Sequence, residues 1–239
     1  MLLIILPVKN ESISIQETVK QLSEWNVFKE HKILFIDDNS TDETYHILKK
    51  QKDISVIPNK FDSGKGSTLK VGYIYSEYMY GMKDDDFIVF MDGDGQINPK
   101  EIDTFIKLKE LYDADIVIGN KRHDYSSIHY TLDRQIVSRV YNWIVRYLFG
   151  FNFRDTQCGI KMFRKSCLEK IIQKVNTKRY AFDLELIVAL RENNFRIIDA
   201  PVNLRDQKNK GSVSISSIIS TFIDTIIIYK KKKKGFYRL

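Results

Sequence analysis

The sequence predicts an α/β protein whose mostly parallel central sheet is flanked by helices. Two observations carry that expectation. Short apolar runs alternate with stretches of helical spacing through the first half, and strands separated by helices imply right-handed βαβ units. Acidic residues gather directly after two of the apolar runs, and ligands of open α/β sheets bind beyond the carboxyl ends of strands. The length of 239 residues suits one large domain of this kind, and 43% apolar with 29% charged residues is a globular composition, not a disordered one.

The elements follow in order. Residues 1–8 are apolar, lack a basic leading region and are broken by Pro7-Val8-Lys9-Asn10, so 2–6 reads as a first strand and not as a signal peptide. Residues 13–25 have helical spacing and 33–36 form a second strand. Ser40-Thr41-Asp42-Glu43 then reads as a capping box opening a helix. Strands at 54–57, 87–91 and 116–118 alternate with helices at 66–80 and 99–111. The second half is less regular: helices at 132–149 and 182–192, a strand at 195–201, a polar loop at 206–217 and a last helical pattern. There is no internal repeat and no Gly/Ser linker before about Gln207, which divides the chain into a domain over 1–213 and a tail over 214–239.

Charge and cysteines narrow the function classes. Of the net charge of +7, the last ten residues carry Lys230 to Lys234 and Arg238 without an acid, so the remainder is nearly neutral. A broad nucleic-acid-binding face is not expected. Cys158 and Cys167 cannot make a disulfide scaffold, and with four histidines they offer too few ligands for a zinc cluster. A reducing, cytoplasmic setting is the default. No segment reaches the ~18 apolar residues of a membrane span; the longest, 215–229, is interrupted by Ser220, Thr221, Asp224 and Thr225.

Asp37-Asp38-Asn39-Ser40 follows the second strand and Asp92-Gly93-Asp94-Gly95-Gln96 the fourth. Two carboxylates flanking a glycine in a turn can face one ion, and Mg²⁺ and Mn²⁺ favour such oxygens. An isolated Asp-x-Asp is equally a pair of turn acids, but the strand Phe87-Ile88-Val89-Phe90-Met91 immediately before it favours a site.

These blocks resemble a family. Leu6-Pro7-Val8-Lys9-Asn10-Glu11, Asp37 to Asp42, Gly64-Lys65-Gly66 and Asp92 to Gln96 look like the successive blocks of family 2 glycosyltransferases, which have the GT-A (Rossmann-like) fold. Asp155-Thr156-Gln157-Cys158-Gly159-Ile160-Lys161-Met162-Phe163, Phe182-Asp183-Leu184-Glu185 and Gly211-Ser212 resemble, more narrowly, the polyprenyl-phosphate sugar transferases. The resemblance spans roughly residues 2 to 215. It implies an inverting hexosyltransferase in which a polyprenyl or dolichyl phosphate attacks the anomeric carbon of a nucleotide-diphosphate sugar, UDP-glucose-like or GDP-mannose-like.

The resemblance also implies roles. Asp92, Asp94 and Gln96 match the metal and diphosphate block, with Mg²⁺ or Mn²⁺ as cofactor. Pro7, Glu11 and Asp38 match contacts to base and ribose, whereas by residue type Glu11 is also a loop acid and Asp38 a turn or N-cap acid; Asp37 supports the loop. Lys65, between glycines opening a helix, suits a phosphate-rich cleft or a tight turn with a surface lysine. Arg122 and Arg134 match arginines that hold the acceptor phosphate, since guanidinium forks fit phosphate oxygens. Asp155 and Gln157 are expected over the sugar, Asp183 orienting sugar or acceptor, and Lys208 and Lys210 closing over the diphosphate. Val213 stands where members often carry a lysine. Cys158 reads as a small buried apolar residue.

In the tail, Ile215, Ile218, Ile219, Phe222, Ile223, Ile226 and Ile227 share one helical face, and five lysines follow. A basic amphipathic end is a membrane-surface signature, and the same face could meet a membrane-protein partner or pack on the core. As a membrane device it leaves a chain ending at Ser214 able to fold. A family 2 transfer to a glycan hydroxyl, and a catalytically silent nucleotide-sugar binder, are the competing functions.

Overall fold

The computed structural model describes residues 1–25, 31–61, 63–126, 132–152, 154–179, 181–205 and 215–239, with backbone alone for 132–137 and 215–216. The first half runs β1 (Leu2–Val8), α1 (Ile15–Glu24), β2 (Lys32–Asp37), α2 (Thr44–Lys49), β3 (Ser55–Pro58), α3 (Lys65–Tyr80), β4 (Phe87–Met91), α4 (Glu101–Tyr112) and β5 (Ile116–Asn120). The second runs α5 (Leu132–Phe149), β6 (Ile160–Arg164), α6 (Lys165–Ile172), α7 (Phe182–Arg191), β7 (Ile197–Pro201) and α8 (Ile215–Lys233). The strands form one sheet in the order β3-β2-β1-β4-β6-β5-β7. Every pairing is parallel except those of β6, which runs antiparallel between β4 and β5.

Successive strand side chains point to opposite faces, and the sheet is buried on both. Leu3, Ile5, Leu34 and Ile36 pack with α3 and α5 to α8, while Leu2, Ile4, Ile33 and Phe35 pack with α1, α2 and α4. The reversed β6 has a direct consequence for function. It brings the start of β6 beside the end of β4, so that Asp92 N donates to Gly159 O at 2.8 Å. Two blocks about 65 residues apart in sequence thus meet at one sheet end.

Local chemistry corrects one expected helix start. The Ser40/Glu43 capping box does not form: α2 begins at Thr44, and Asp42 Oδ1 accepts from Thr44 N (3.0 Å) and Thr44 Oγ1 (2.5 Å). Ser40 is drawn instead to the loop after β1, where its Oγ accepts from Asn10 N at 3.0 Å. Neither β6 nor α6 was assigned from sequence.

The C-terminal helix belongs to the same core. Thr225, Ile228 and Tyr237 are fully buried, and Tyr141 of α5 and Thr225 share a hydrogen bond of 3.1 Å. Two rings of α5, Tyr141 and Phe149, meet Phe222 and Tyr229 of α8 edge-on. Thr225, one of the polar residues that interrupt the apolar stretch, therefore points inward. This corrects the expectation that a chain ending at Ser214 folds unaided, because it would lose part of the core.

Candidate functional site

A cavity of about 510 Å³ opens at the carboxyl ends of β1, β2 and β4. Pro7 near the end of β1 and Glu11 after it line the cavity, with Asp38 after β2, Lys65 at the start of α3, and Asp92 and Asp94 after β4. Arg179, just before α7, and Ser217 of α8 close its other side. Six of the residues expected from sequence to bind nucleotide or metal thus sit on one wall system; Gln96 does not line it.

Asp38 is buried, and its Oδ1 accepts from Asn59 Nδ2 (2.9 Å), Ser63 N (3.2 Å) and Ser63 Oγ (3.2 Å), while Oδ2 accepts from Gly64 N (3.0 Å). It therefore fixes the loop that leads into α3. Asp37 Oδ2 accepts from Ser40 N at 3.1 Å, the supporting role expected of it. Glu11 accepts from Ser14 Oγ, and its backbone N donates to Thr44 Oγ1 at 2.8 Å.

Gly64 has φ +79°, and a Cβ there would lie 2.8 Å from Lys178 O, so the turn into α3 requires glycine. The turn delivers Lys65 into the cavity. Its Nζ lies 2.8 Å from Asp92 Oδ1 and 3.0 Å from Asp183 Oδ2. Burial alone would lower the Lys65 ammonium, but Asp183 and Asp92 outweigh it and hold the group well above an ordinary lysine. Asp183 in turn accepts from Lys161 Nζ at 2.6 Å, and Lys161 also donates to Cys158 O at 2.6 Å. Burial pushes the Asp183 carboxyl up, yet Lys161 and Lys65 together keep it below the usual range. Asp183 is absent from the cavity lining and stands behind Lys65. Both of its oxygens are engaged by lysines, Oδ1 by Lys161 and Oδ2 by Lys65.

The residues present fit a hard divalent cation. Asp92 and Asp94 reach one cavity, and a Cβ on Gly159 would fall 2.0 Å from Asp92 Oδ2, so glycine there leaves the room that carboxylate needs. Asp94 Oδ1 accepts from Gln96 N at 3.0 Å, which closes the turn. Among the described residues, no group of three or more His, Cys, Asp or Glu gathers as a self-sufficient metal cage. Two carboxylates plus ligand oxygens is the arrangement through which Mg²⁺ or Mn²⁺ is held with phosphates.

Beyond β5 lies a second cluster. Arg122 Nη2 donates to Ser138 Oγ of α5 at 2.6 Å, and Arg122 N donates to Asn120 Oδ1 at 2.9 Å. Asp155 is buried; its Oδ2 accepts from Lys121 N (3.2 Å) and its Oδ1 from Gln157 N (2.9 Å). Asp155 therefore ties this loop to the one before β6. The Nε2 of Gln157 is buried without a hydrogen-bond partner among the described residues. Cys158 is fully buried and its thiol is pushed up to about 11, chiefly by burial, so it is an inert packing residue. Arg134 stands in the first turn of α5 with its side chain outside the described residues, as are Lys208 and Lys210 entirely.

Sequence reasoning missed Lys161, Arg179 and Ser217. Lys161 interrupts an apolar run beside Cys158, the one local signal of a buried charge. Arg179 and Ser217 reach the cavity only through tertiary packing.

Comparison with known proteins places this geometry. The family model of glycosyl transferase family 2 matches residues 3–172. A dolichyl-phosphate beta-glucosyltransferase of Dictyostelium discoideum is 25% identical over 255 residues, covering 99% of this chain and 76% of the relative. One of Trichomonas vaginalis is 22% identical over 252 residues, covering 98% and 73%. An uncharacterized protein of Methanocaldococcus jannaschii is 27% identical over 200 residues, 83% of this chain and 79% of that one. Among solved structures, glucosyl-3-phosphoglycerate synthase from Mycobacterium tuberculosis, in complex with Mn²⁺ and UDP-glucose, superposes with a TM-score of 0.70 at 15% identity, over 96% of this chain and 78% of that one. A family match over more than two thirds of the chain, joined to this fold and its strand-end cavity, makes the chain a family 2 glycosyltransferase with the GT-A fold.

Proposed function

We propose that the chain is an inverting, metal-dependent hexosyltransferase that moves a sugar from a nucleotide-diphosphate sugar to a polyprenyl or dolichyl phosphate at a membrane surface. The observation that carries the reading is the charge pattern of the cavity: Asp92, Asp94, Lys65 and Arg179 together line a space of about 510 Å³ at the strand ends. Paired carboxylates suit a cation and the two cations suit a diphosphate, while Pro7, Glu11 and the Asp38 loop form the end left for base and ribose. A divalent ion held by Asp92 and Asp94, with Gln96 completing the turn, would neutralise charge gathering on the leaving diphosphate. The acceptor oxygen forms the new bond to the anomeric carbon as the bond to the diphosphate breaks, and the nucleoside diphosphate leaves with the electron pair.

The state of Asp183 supports a phosphate acceptor over a sugar hydroxyl. A hydroxyl needs a general base, and a carboxyl held low between two lysines is a poor one. A phosphate is already ionised at neutral pH. Arg122 and Arg134, near the β5 end and in α5, are the arginines proposed to meet it, with Gln157 and Asp155 shaping the loop between. The dolichyl-phosphate relatives agree with this acceptor class.

Membrane attachment rests on the outer faces of α5 and α8. Ile219, Ile223, Ile226 and Ile227 of α8 are 44–56% exposed, and Trp143 and Tyr147 of the neighbouring α5 are 67% and 78% exposed and stacked on each other. Aromatic and aliphatic side chains beside lysines suit the headgroup boundary, where a peripheral enzyme meets a lipid acceptor. Among the described residues, no helix is long and apolar enough to cross a membrane.

The test is direct. Purified chain is supplied with UDP-glucose, GDP-mannose and other nucleotide sugars, with Mn²⁺ or Mg²⁺, and either polyprenyl phosphate in vesicles or a glycan acceptor. Mass spectrometry should find the sugar on the lipid phosphate with inverted anomeric configuration. Transfer to the glycan alone would overturn the acceptor assignment, and nucleotide binding without any transfer would favour the silent binder.

A further inference from the structure

Four charged side chains run in file from the cavity wall inward, alternating in sign. Lys161 Nζ is 2.6 Å from Asp183 Oδ1, Asp183 Oδ2 is 3.0 Å from Lys65 Nζ, and Lys65 Nζ is 2.8 Å from Asp92 Oδ1. Their side-chain exposure rises along the file, from 2% at Lys161 and 8% at Asp183 to 24% at Lys65 and 34% at Asp92. The inner pair is sealed, and Lys161 is further pinned by Cys158 O. The outer pair opens into the cavity. A file that is neutral as a whole and fixed at one end holds its outermost contact in place while leaving it exchangeable.

We propose that Lys65 is the resident counter-ion of Asp92, held there by the positioning residues Asp183 and Lys161, and that this makes divalent-cation binding conditional on the nucleotide diphosphate. The inference rests on the donor reading above and adds an order of events to it. A cation arriving alone must approach a carboxylate already facing an ammonium 2.8 Å away, so two like charges compete for Asp92. A cation arriving with a diphosphate changes the balance: two positive charges enter with two phosphate negatives, and the phosphate oxygens give Lys65 a new partner while Asp92 turns to the ion. Asp183 keeps Lys65 from leaving with either ligand. The cavity then resists cations in the absence of donor and takes both together.

The readout is linkage between two ligands, which a merely structural lysine would not move. Mn²⁺ binding to the full chain is titrated by electron paramagnetic resonance and calorimetry, alone and with saturating UDP or GDP. Wild-type protein should bind Mn²⁺ on the order of ten-fold or more tightly with nucleotide than without, the scale of a typical inter-site coupling. In Lys65→Met, Asp183 retains Lys161, so the fold should hold. Mn²⁺ alone should then bind on the order of ten-fold more tightly, because one like charge is gone from a partly solvated site, and the coupling should collapse. Lys65→Arg should restore it in part. The inner pair is removed as Lys161→Met/Asp183→Leu, which strands no buried charge, and a folded double variant should show weakened coupling with Lys65 still present. Unchanged or weaker Mn²⁺ binding in Lys65→Met overturns the proposal, as does wild-type coupling in the folded double variant. Wild-type protein that binds Mn²⁺ and nucleotide independently removes this proposal alone. Wild-type protein that binds neither removes the donor reading as well.

Discussion

Asp94 and Arg122 are the side chains whose replacement separates the two halves of the proposed chemistry. Asp94 lines the cavity, and its Oδ1 accepts from the local Gln96 N–H, so Asp94→Ala should disturb the cavity more than the core. It should lower transfer at least about 100-fold, the size of losing one charge-stabilising group, and weaken Mn²⁺-dependent nucleotide binding in the same calorimetric titration. Near-wild-type turnover at limiting Mn²⁺ would remove Asp94 from the metal site. Arg122 sits beyond β5 and is braced by Ser138. Arg122→Ala should raise the KM for lipid phosphate, with about 2 kcal/mol or more lost from a charged contact, while the Kd for nucleotide stays nearly constant. A loss of nucleotide affinity instead would move Arg122 to the donor half. At this scale the sequence was informative where chemistry sits beside its strand: Asp92, Asp94 and Lys65 are each announced by a local glycine or apolar run. It was silent for Lys161, because a lysine in a strand normally reads as a solvent-facing position, and only the reversed β6 turns this one toward Asp183.

Helix α8 and the residues after it act as a clasp on α7. Glu185 is fully buried; its Oε1 accepts from Tyr237 Oη at 2.6 Å and faces Lys231 Nζ at 2.9 Å. Its Oε2 accepts from Asn176 N (2.8 Å), Thr177 N (2.7 Å) and Thr177 Oγ1 (2.7 Å). The loop so held carries Lys178, whose carbonyl accepts from Gly66 N at 2.8 Å, and Arg179, which lines the cavity. Tyr237→Phe removes one donor from a buried carboxylate and should cost about 1–3 kcal/mol of stability, measured by urea denaturation; a variant as stable as wild type would show that the clasp contributes nothing. The same carboxylate sets a pH dependence. Burial raises the Glu185 carboxyl, but Tyr237, Lys231 and Thr177 hold it below the ordinary value of 4.5. The unfolded chain therefore takes up that proton first, and the stabilisation is complete above about pH 5 and fades as pH falls through the folded value. Asp183 acts in the same direction. Melting temperature should decline from pH 5 towards pH 3, and Glu185→Gln, though less stable throughout, should decline less steeply; parallel slopes would exclude Glu185 as a source. None of this clasp could be read in advance, because the amphipathic spacing of α8 shows two faces without telling which is covered.

Across the whole molecule, the alternation of strands and helices was legible because period-two and helical patterns are local properties, whereas strand direction and sheet order are not. The charge distribution shows the same division. The basic tail was evident from composition, but its partners were not: Lys231 is engaged by Glu185, and Lys232 and Arg238 lie 3.6 and 3.7 Å from Glu192. Half of the six tail charges thus serve the fold. Lys230, Lys233 and Lys234 are exposed, close to the outward isoleucines of α8. Each lysine near an anionic surface contributes about 1 kcal/mol, so Lys230→Glu/Lys233→Glu/Lys234→Glu should lower the affinity for phosphatidylserine vesicles by well over about 100-fold in sedimentation assays. Its melting temperature and its nucleotide affinity should stay close to wild type, because the cavity and the Glu185 clasp are untouched. Lys231→Ala should behave in the opposite way, losing stability before it loses vesicle binding. Wild-type binding should also weaken as salt rises towards 1 M, where the Debye length falls to about 3 Å, with the apolar contacts of Trp143, Tyr147 and the isoleucines leaving a residue of affinity. A triple variant that still sediments with anionic vesicles, or wild-type binding indifferent to salt, would show that the tail lysines do not face lipid and that the acceptor is reached by another surface.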